Sequence, residues 1–283
     1  MRNLKEIAKK ANFSADAIEF FAKLYEKAEK NEEVMKCLDE AEKIYFAEGD
    51  VGEYMEKLSE LMGENKFSTD MMFLLYCAVT LKDVYIEKGY PEEMYLGVLT
   101  DLKCKAEECK TVHEVWGTFV FSWFQRFFLC TRFCLGRLQY EVVCSEADYK
   151  DKLKKGDEVI NCHIPSSGKL DPELIQDSLK RAYEFYGFKD EMIVHCASWM
   201  LYPPYADSGV FPEGTNLRYF YDLFDIVEIL PRDLGANLWR IFGTKETDIS
   251  KLPKDTGLRK RLCEFIEKEK SEGVGRGFFV YKP

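Results

Sequence analysis

Side chains capable of acid–base chemistry crowd into one stretch, Val159-Ile160-Asn161-Cys162-His163-Ile164-Pro165-Ser166-Ser167-Gly168-Lys169-Leu170-Asp171-Pro172-Glu173. Read with the two-residue period of a strand, Asn161 and His163 share one face, while Ile160, Cys162 and Ile164 share the other. A second alternating stretch, Arg137-Leu138-Gln139-Tyr140-Glu141-Val142-Val143, puts Arg137, Gln139 and Glu141 on one face. Glu141 and His163 are therefore the candidates for a general base. An imidazole titrates near neutral pH unaided, whereas a glutamate must be buried to do so, which ranks His163 first. His195, next to Cys196, lies on a further short apolar strand. For each histidine the competing reading is a satisfied structural side chain.

The pairs Cys162-His163 and His195-Cys196 invite a metal site or a Cys–His nucleophile. Adjacent residues on a strand face opposite sides, so both members of one pair do not easily enter one site. No C-x-x-C pair occurs among the ten cysteines, and no metal is expected. The small-residue loop that follows His163 offers a different chemistry. Ser166, Ser167, Gly168, Lys169 and Leu170 lead into a helix with Asp171 as cap and Pro172 in its first turn. Such a loop aims backbone N–H groups at an anion, and Lys169 supplies a point charge. It is not a Walker loop, and the plain alternative is an ordinary strand-to-helix connection.

The elements that position these residues divide the chain. From residue 14 to residue 110 apolar residues recur at helical spacing, and Asn31, Gly49, Gly63 and Gly89 close successive runs. Caps are expected at Ser14, Asn31 and Ser68 or Thr69, with Pro91 opening the fifth run. The segment 115–135 is mostly apolar and reads as one buried helix with a polar edge at Thr118, Ser122, Gln125 and Arg132; Arg126 and Arg132 argue against a membrane span. Beyond it strands are expected over 137–143, 157–164, 192–197, 226–230 and 277–281, and helices over 171–186, 236–242 and 256–270. Gly273-Val274-Gly275-Arg276-Gly277 reads as a turn before the last strand. Strands alternating with helices indicate an α/β or α+β arrangement with a partly parallel sheet.

Composition narrows the partners. With 40 Lys+Arg and 50 Asp+Glu the net charge is −10, and the pI is near 5.1. An acidic chain without a basic patch repels polyphosphate backbones, so no nucleic-acid partner is expected. The N-terminal Met1-Arg2-Asn3-Leu4-Lys5-Glu6-Ile7 lacks a signal-peptide pattern, which points to a reducing cytoplasm in which most of the ten cysteines are small core hydrophobes, and no membrane partner is expected.

Taken in order, Gly136-Arg137-Leu138-Gln139-Tyr140-Glu141, Asn161-Cys162-His163-Ile164-Pro165 with Gly168, Leu170-Asp171-Pro172, Cys196-Ala197-Ser198-Trp199-Met200-Leu201 and Leu252-Pro253-Lys254-Asp255-Thr256 resemble a bacterial acyltransferase family. That family joins an all-helical N-acyltransferase N-terminal domain to a GNAT-like C-terminal domain. The resemblance spans the chain and implies a helical domain over 1–111 and a GNAT-like mixed-sheet domain over 112–283. It further implies that 157–164 is the central strand, 165–170 the pyrophosphate turn, and 192–197 a strand that splays to admit acyl-CoA. The superfamily turn is Q/R-x-x-G-x-G/A, and this loop departs from it with a single glycine. Tyr202 stands where such enzymes place the acid that protonates the leaving thiolate; its competing reading is a packed aromatic beneath Pro203-Pro204. The implied activity is transfer of an acyl group from acetyl-CoA or another acyl-CoA to a small acceptor amine. The rival readings are a catalytically silent module that binds acyl-CoA or a protein partner, and a helical interaction domain that leaves the second half unexplained. The oligomeric state is not legible.

Overall fold

The computed structural model describes residues 2–283, which divide into two compact units, 2–134 and 135–283. Six helices build most of the first unit: α1 (Leu4–Lys10), α2 (Ala15–Glu29), α3 (Glu32–Phe46), α4 (Gly52–Met62), α5 (Lys66–Glu87) and α6 (Glu92–His113). Their ends follow local chemistry. The Asn31 side chain accepts from the Glu33 and Val34 amides, and Gly63 closes α4 in the left-handed conformation at φ 59°. On α3 the buried Val34, Cys37, Leu38, Ala41 and Tyr45 form one apolar stripe. Helix α5 is buried at every position from Ser68 to Ala78, as its largely apolar sequence requires of a central helix.

Two expectations for this unit need correction. Helix α5 is capped by Asn65, whose side chain accepts from the Phe67 amide at 2.9 Å, and neither Ser68 nor Thr69 is the cap. Ser68 instead donates to the Trp116 carbonyl at 2.7 Å, and Thr69 to the Lys66 carbonyl at 3.0 Å. Segment 115–135 is not one helix. Glu114 ends α6 at φ 63°, and a 3-10 turn (Phe121–Phe124), a short α7 (Gln125–Phe128) and strand β1 (Arg132–Leu135) follow. Gly117 packs against the Phe67 backbone so closely that a Cβ would overlap it, and Cys130 takes φ 54°, so no continuous helix passes through. Arg132 lies over the Trp123 ring at 3.8 Å and donates to the Trp123 carbonyl, which accommodates its charge among aromatics.

The second unit is the expected mixed sheet with helices. Strands β2 (Leu138–Cys144), β3 (Glu158–His163), β4 (Met192–Ser198), β5 (Asp225–Arg232) and β6 (Glu272–Tyr281) join β1 in the order β1-β2-β3-β4-β6-β5. Pairing is antiparallel for β2/β3, β4/β6 and β5/β6, and parallel for β3/β4. Helix α8 (Pro172–Phe185) covers one face, where Ser178 accepts from the Leu138 amide at 3.0 Å and meets the Tyr140 hydroxyl at 3.1 Å. Short helices α9 (Pro203–Asp207), α10 (Asn216–Asp222) and α11 (Leu238–Phe242) precede α12 (Gly257–Glu269). Tyr205, Phe211, Leu238, Leu262 and Ile266 form a buried cluster among these later elements.

The glycine-rich stretch at Gly273–Gly277 is strand and not turn. A Cβ at Gly275 would overlap the Leu201 carbonyl, one at Gly273 would meet the Tyr202 ring, and one at Gly277 would press on Phe224 and Ile226. The glycines are there for close approach, and β6 runs through them from Glu272.

Candidate active site

Register lines up a polar row across three strands. Glu141 on β2 is opposite Asn161 on β3, and Asn161 is opposite His195 on β4. His163, two residues beyond Asn161, lies on the same face. Within this row His163 Nε2 sits 2.6 Å from Glu141 Oε1. Asn161 Nδ2 lies 3.4 Å from the same oxygen and 3.0 Å from His163 Nε2, and Asn161 Oδ1 lies 2.9 Å from His195 Nδ1. The structure thus brings both predicted base candidates together. Of the two residues that link them to β4, Asn161 was legible as sharing the His163 face, whereas His195 was legible only as a histidine on a further strand.

Charge fixes the direction of these bonds. Glu141 is 3% exposed, so its carboxylate needs donors, and a carboxylate only accepts. His163 therefore donates Nε2–H to Glu141, which makes Nδ1 the basic nitrogen of the ring and leaves Nε2 unable to accept from the Asn161 amide, so the 3.0 Å approach of Asn161 Nδ2 to Nε2 is a contact between two donors to the same carboxylate. Asn161 must turn its Nδ2 toward Glu141, which leaves Oδ1 to accept from His195 Nδ1–H. His195 is buried, its ring 4.9 Å from that of Phe278, and burial together with the nearby Arg276 charge pulls its pKa from 6.5 to about 4. It is a neutral imidazole at physiological pH.

A cavity of about 240 Å³ opens on this row, lined by Val143, Cys144, Glu146, Asn161, His163, His195 and Ala197. Beneath it the buried Arg276 guanidinium pairs with Glu146, from the loop after β2, and with Glu228 on β5. Sequence reading missed this cluster because Arg276 lies in the stretch taken for a turn. Its only signal was a single cation among glycines. A larger cavity, about 570 Å³, lies against Val142, Ile160, Tyr186 and Phe188 and includes neither His163 nor His195.

Two backbone features accompany the row. The β3/β4 ladder covers only Ile160↔Val194 and Asn161↔His195, while β4 goes on pairing with β6 as far as Ser198↔Gly275. The β3/β4 pairing therefore ends at Asn161↔His195, and His163 and Ala197 lie beyond it. The loop that leaves β3 is gripped from below: Arg137 donates to the carbonyls of Pro165 at 3.0 Å, Gly168 at 2.6 Å and Lys169 at 2.8 Å. Those acceptors are committed to one guanidinium. Gly168 adopts φ 152°, a conformation L side chains rarely take, with open space where a Cβ would be. Ser166, Ser167, Lys169 and Leu170 complete the loop, and Asp171 caps α8 by accepting from the Glu173 amide at 3.1 Å.

Tyr202 is placed elsewhere. Its ring packs edge-on against Tyr205 at 4.9 Å, its hydroxyl is 3.2 Å from Ser271 Oγ, and it does not line the 240 Å³ cavity. Cys162 and Cys196 are buried on the face opposite the histidines, as strand parity requires. The hydrogen bond between them and burial push the Cys162 thiol pKa up, away from nucleophilic thiolate.

Known proteins can now be set beside this geometry. Residues 133–279 match the GNAT-like C-terminal domain, and residues 2–130 match the N-acyltransferase N-terminal domain. Among solved structures, an acyltransferase mutant in complex with octanoyl-CoA superimposes with a TM-score of 0.78 at 16% identity, covering 99% of this chain and 88% of that one. An acyltransferase in complex with decanoyl-CoA and teicoplanin gives 0.77 at 16% identity, over 98% and 87%. An acyltransferase in complex with decanoyl-CoA gives 0.77 at 18%, over 97% and 86%. At these identities the likeness is one of fold. No curated protein matches the chain. The chain belongs to the acyltransferase family that joins an N-acyltransferase N-terminal domain to a GNAT-like C-terminal domain.

Proposed function

We propose that the chain transfers an acyl group from acyl-CoA to a small-molecule amine by direct attack of the amine on the thioester. The observation that carries this reading is the coincidence of β3/β4 pairing that ends at Asn161↔His195 with a buried carboxylate bonded to the half-buried His163 just beyond it. His163 takes the ammonium proton on Nδ1, and the Glu141 carboxylate stabilises the imidazolium through Nε2–H. The freed lone pair forms the C–N bond, the C–S bond breaks, and the second proton of the attacking amine leaves with the thiolate, giving the amide and free coenzyme A thiol, while the His163 proton passes to solvent. The loop from Ser166 to Leu170 offers backbone N–H groups and the Lys169 ammonium to the phosphates, with its carbonyls already held by Arg137. Asp171 and Glu173 put negative charge on the start of α8, so the loop amides and Lys169 carry more of this task than the helix dipole does. Tyr202 receives no step in this scheme, because its hydroxyl is directed to Ser271.

The solved relatives with octanoyl-CoA and decanoyl-CoA support a medium-chain acyl donor, and those with teicoplanin support a small-molecule acceptor. The test is release of free thiol from octanoyl-CoA in the presence of a panel of primary amines, with the acylated product identified by mass. One thiol released per amide formed is the expected result. Tight acyl-CoA binding with no turnover on any amine would instead favour the silent binding module.

A further inference from the structure

The bond from His195 to Asn161 has no role in the scheme above, yet it is the side-chain hydrogen bond that His195 makes. We infer that His195 is a positioning residue for the proposed base: its Nδ1–H locks the Asn161 amide, and Asn161 thereby holds Glu141 and His163 in register. The inference rests on His163 being that base.

The polarity of the chain leaves one arrangement. Glu141 accepts only, so Asn161 presents Nδ2 to it. The Asn161 Oδ1 then points to β4, where a donor must meet it, and His195 Nδ1–H is that donor. Leaving that half-buried carbonyl without its donor favours rotation of the amide, which would turn its oxygen toward Glu141 and repel the carboxylate. His195 prevents this from a strand that contributes nothing else to the Glu141–His163 pair. Its own charge does not intrude. The ionisable groups around it are Glu141 on β2, Glu146 in the following loop, His163 on β3, Glu228 on β5 and Arg276 on β6. Arg276 is ion-paired with Glu146 and Glu228, and its remaining field together with burial keeps His195 uncharged above about pH 4. Between pH 5 and 9 His195 therefore adds no limb of its own to the rate profile.

The experiment compares His195→Phe, His195→Gln and Asn161→Leu, singly and as the Phe/Leu double variant, in octanoyl-CoA turnover across pH 5–9. Losing one hydrogen bond to a charged cluster predicts a kcat lower by about 10- to 100-fold for His195→Phe. KM for octanoyl-CoA should change by less than about twofold, and the acid limb of kcat should shift. His195→Gln, whose amide N–H reaches the same carbonyl, should recover most of the rate. The double variant should be no slower than Asn161→Leu alone, because both act through one amide. Wild-type kcat and pH profile in His195→Phe, or additive losses in the double variant, would overturn the positioning role. If circular dichroism shows His195→Phe unfolded, the decision passes to the other single variants: His195→Gln with the acid limb of Asn161→Leu overturns it, and His195→Gln with the wild-type limb supports it. His163→Ala at wild-type rate would instead remove the base assignment beneath it.

Discussion

Burying a neutral histidine makes stability depend on pH in a direction the structure fixes. His195 has its pKa lowered from 6.5 to about 4, first by burial and then by Arg276. Its contribution is complete above pH 6.5 and is lost as pH falls through 4, because the unfolded chain takes up the proton first. Between pH 7 and pH 5 that amounts to about 2 kcal/mol, and below pH 4 to about 3 kcal/mol. Other groups titrate over the same range, so the comparison must be differential. His195→Gln cannot titrate, and it keeps an N–H for Asn161. Urea unfolding of both proteins at pH 7 and pH 5 gives two stability losses, and the wild-type loss should exceed that of His195→Gln by about 2 kcal/mol. Parallel losses in the two proteins would refute the reasoning: His195 would then be as accessible to protons folded as unfolded.

Asp70 on α5 runs the other way. Burial pushes its pKa up to about 6 against the pull of Lys66 at 3.6 Å, so its contribution is full below 3.8 and lost as pH rises through 6. Asp70→Asn should therefore be more stable than wild type by up to about 3 kcal/mol at pH 8 relative to the same comparison at pH 4, as read from urea midpoints. Gly168→Ala should cost about 1 kcal/mol or more from its unfavourable φ and weaken coenzyme A binding in calorimetry. Tyr202→Phe should lose about 1 kcal/mol with its bond to Ser271 while thiol release from octanoyl-CoA proceeds at nearly the wild-type rate.

The helices of the first unit were legible because apolar stripes such as Val34, Cys37, Leu38, Ala41 and Tyr45 carry their own period, and caps such as Asn31 are local. Strand parity likewise separated His163 from Cys162. What failed depended on distant partners. The aromatic run at 115–135 has helical periodicity, but Gly117 is pressed onto the Phe67 backbone and Cys130 takes a left-handed φ, neither of which a window of sequence reveals. Gly273–Gly277 read as a turn because the Leu201 carbonyl and the Tyr202 ring that exclude side chains there lie seventy residues away in the chain. The site shows the same division. Glu141 and His163 could be picked by chemistry, whereas their link through Asn161 to His195 needs the β2-β3-β4 order and its register. The Arg276 pairs with Glu146 and Glu228 need β5 and β6 to be neighbours.

The most direct test of acyl transfer through the Glu141–His163 pair is the rate of thiol release from octanoyl-CoA by His163→Ala, measured beside its affinity for coenzyme A. Removing a general base predicts a kcat lower by about 10²- to 10⁴-fold, with the deficit largest at pH values where the acceptor amine is protonated and with coenzyme A affinity nearly intact. A folded His163→Ala enzyme that acylates amines at the wild-type rate would contradict the account.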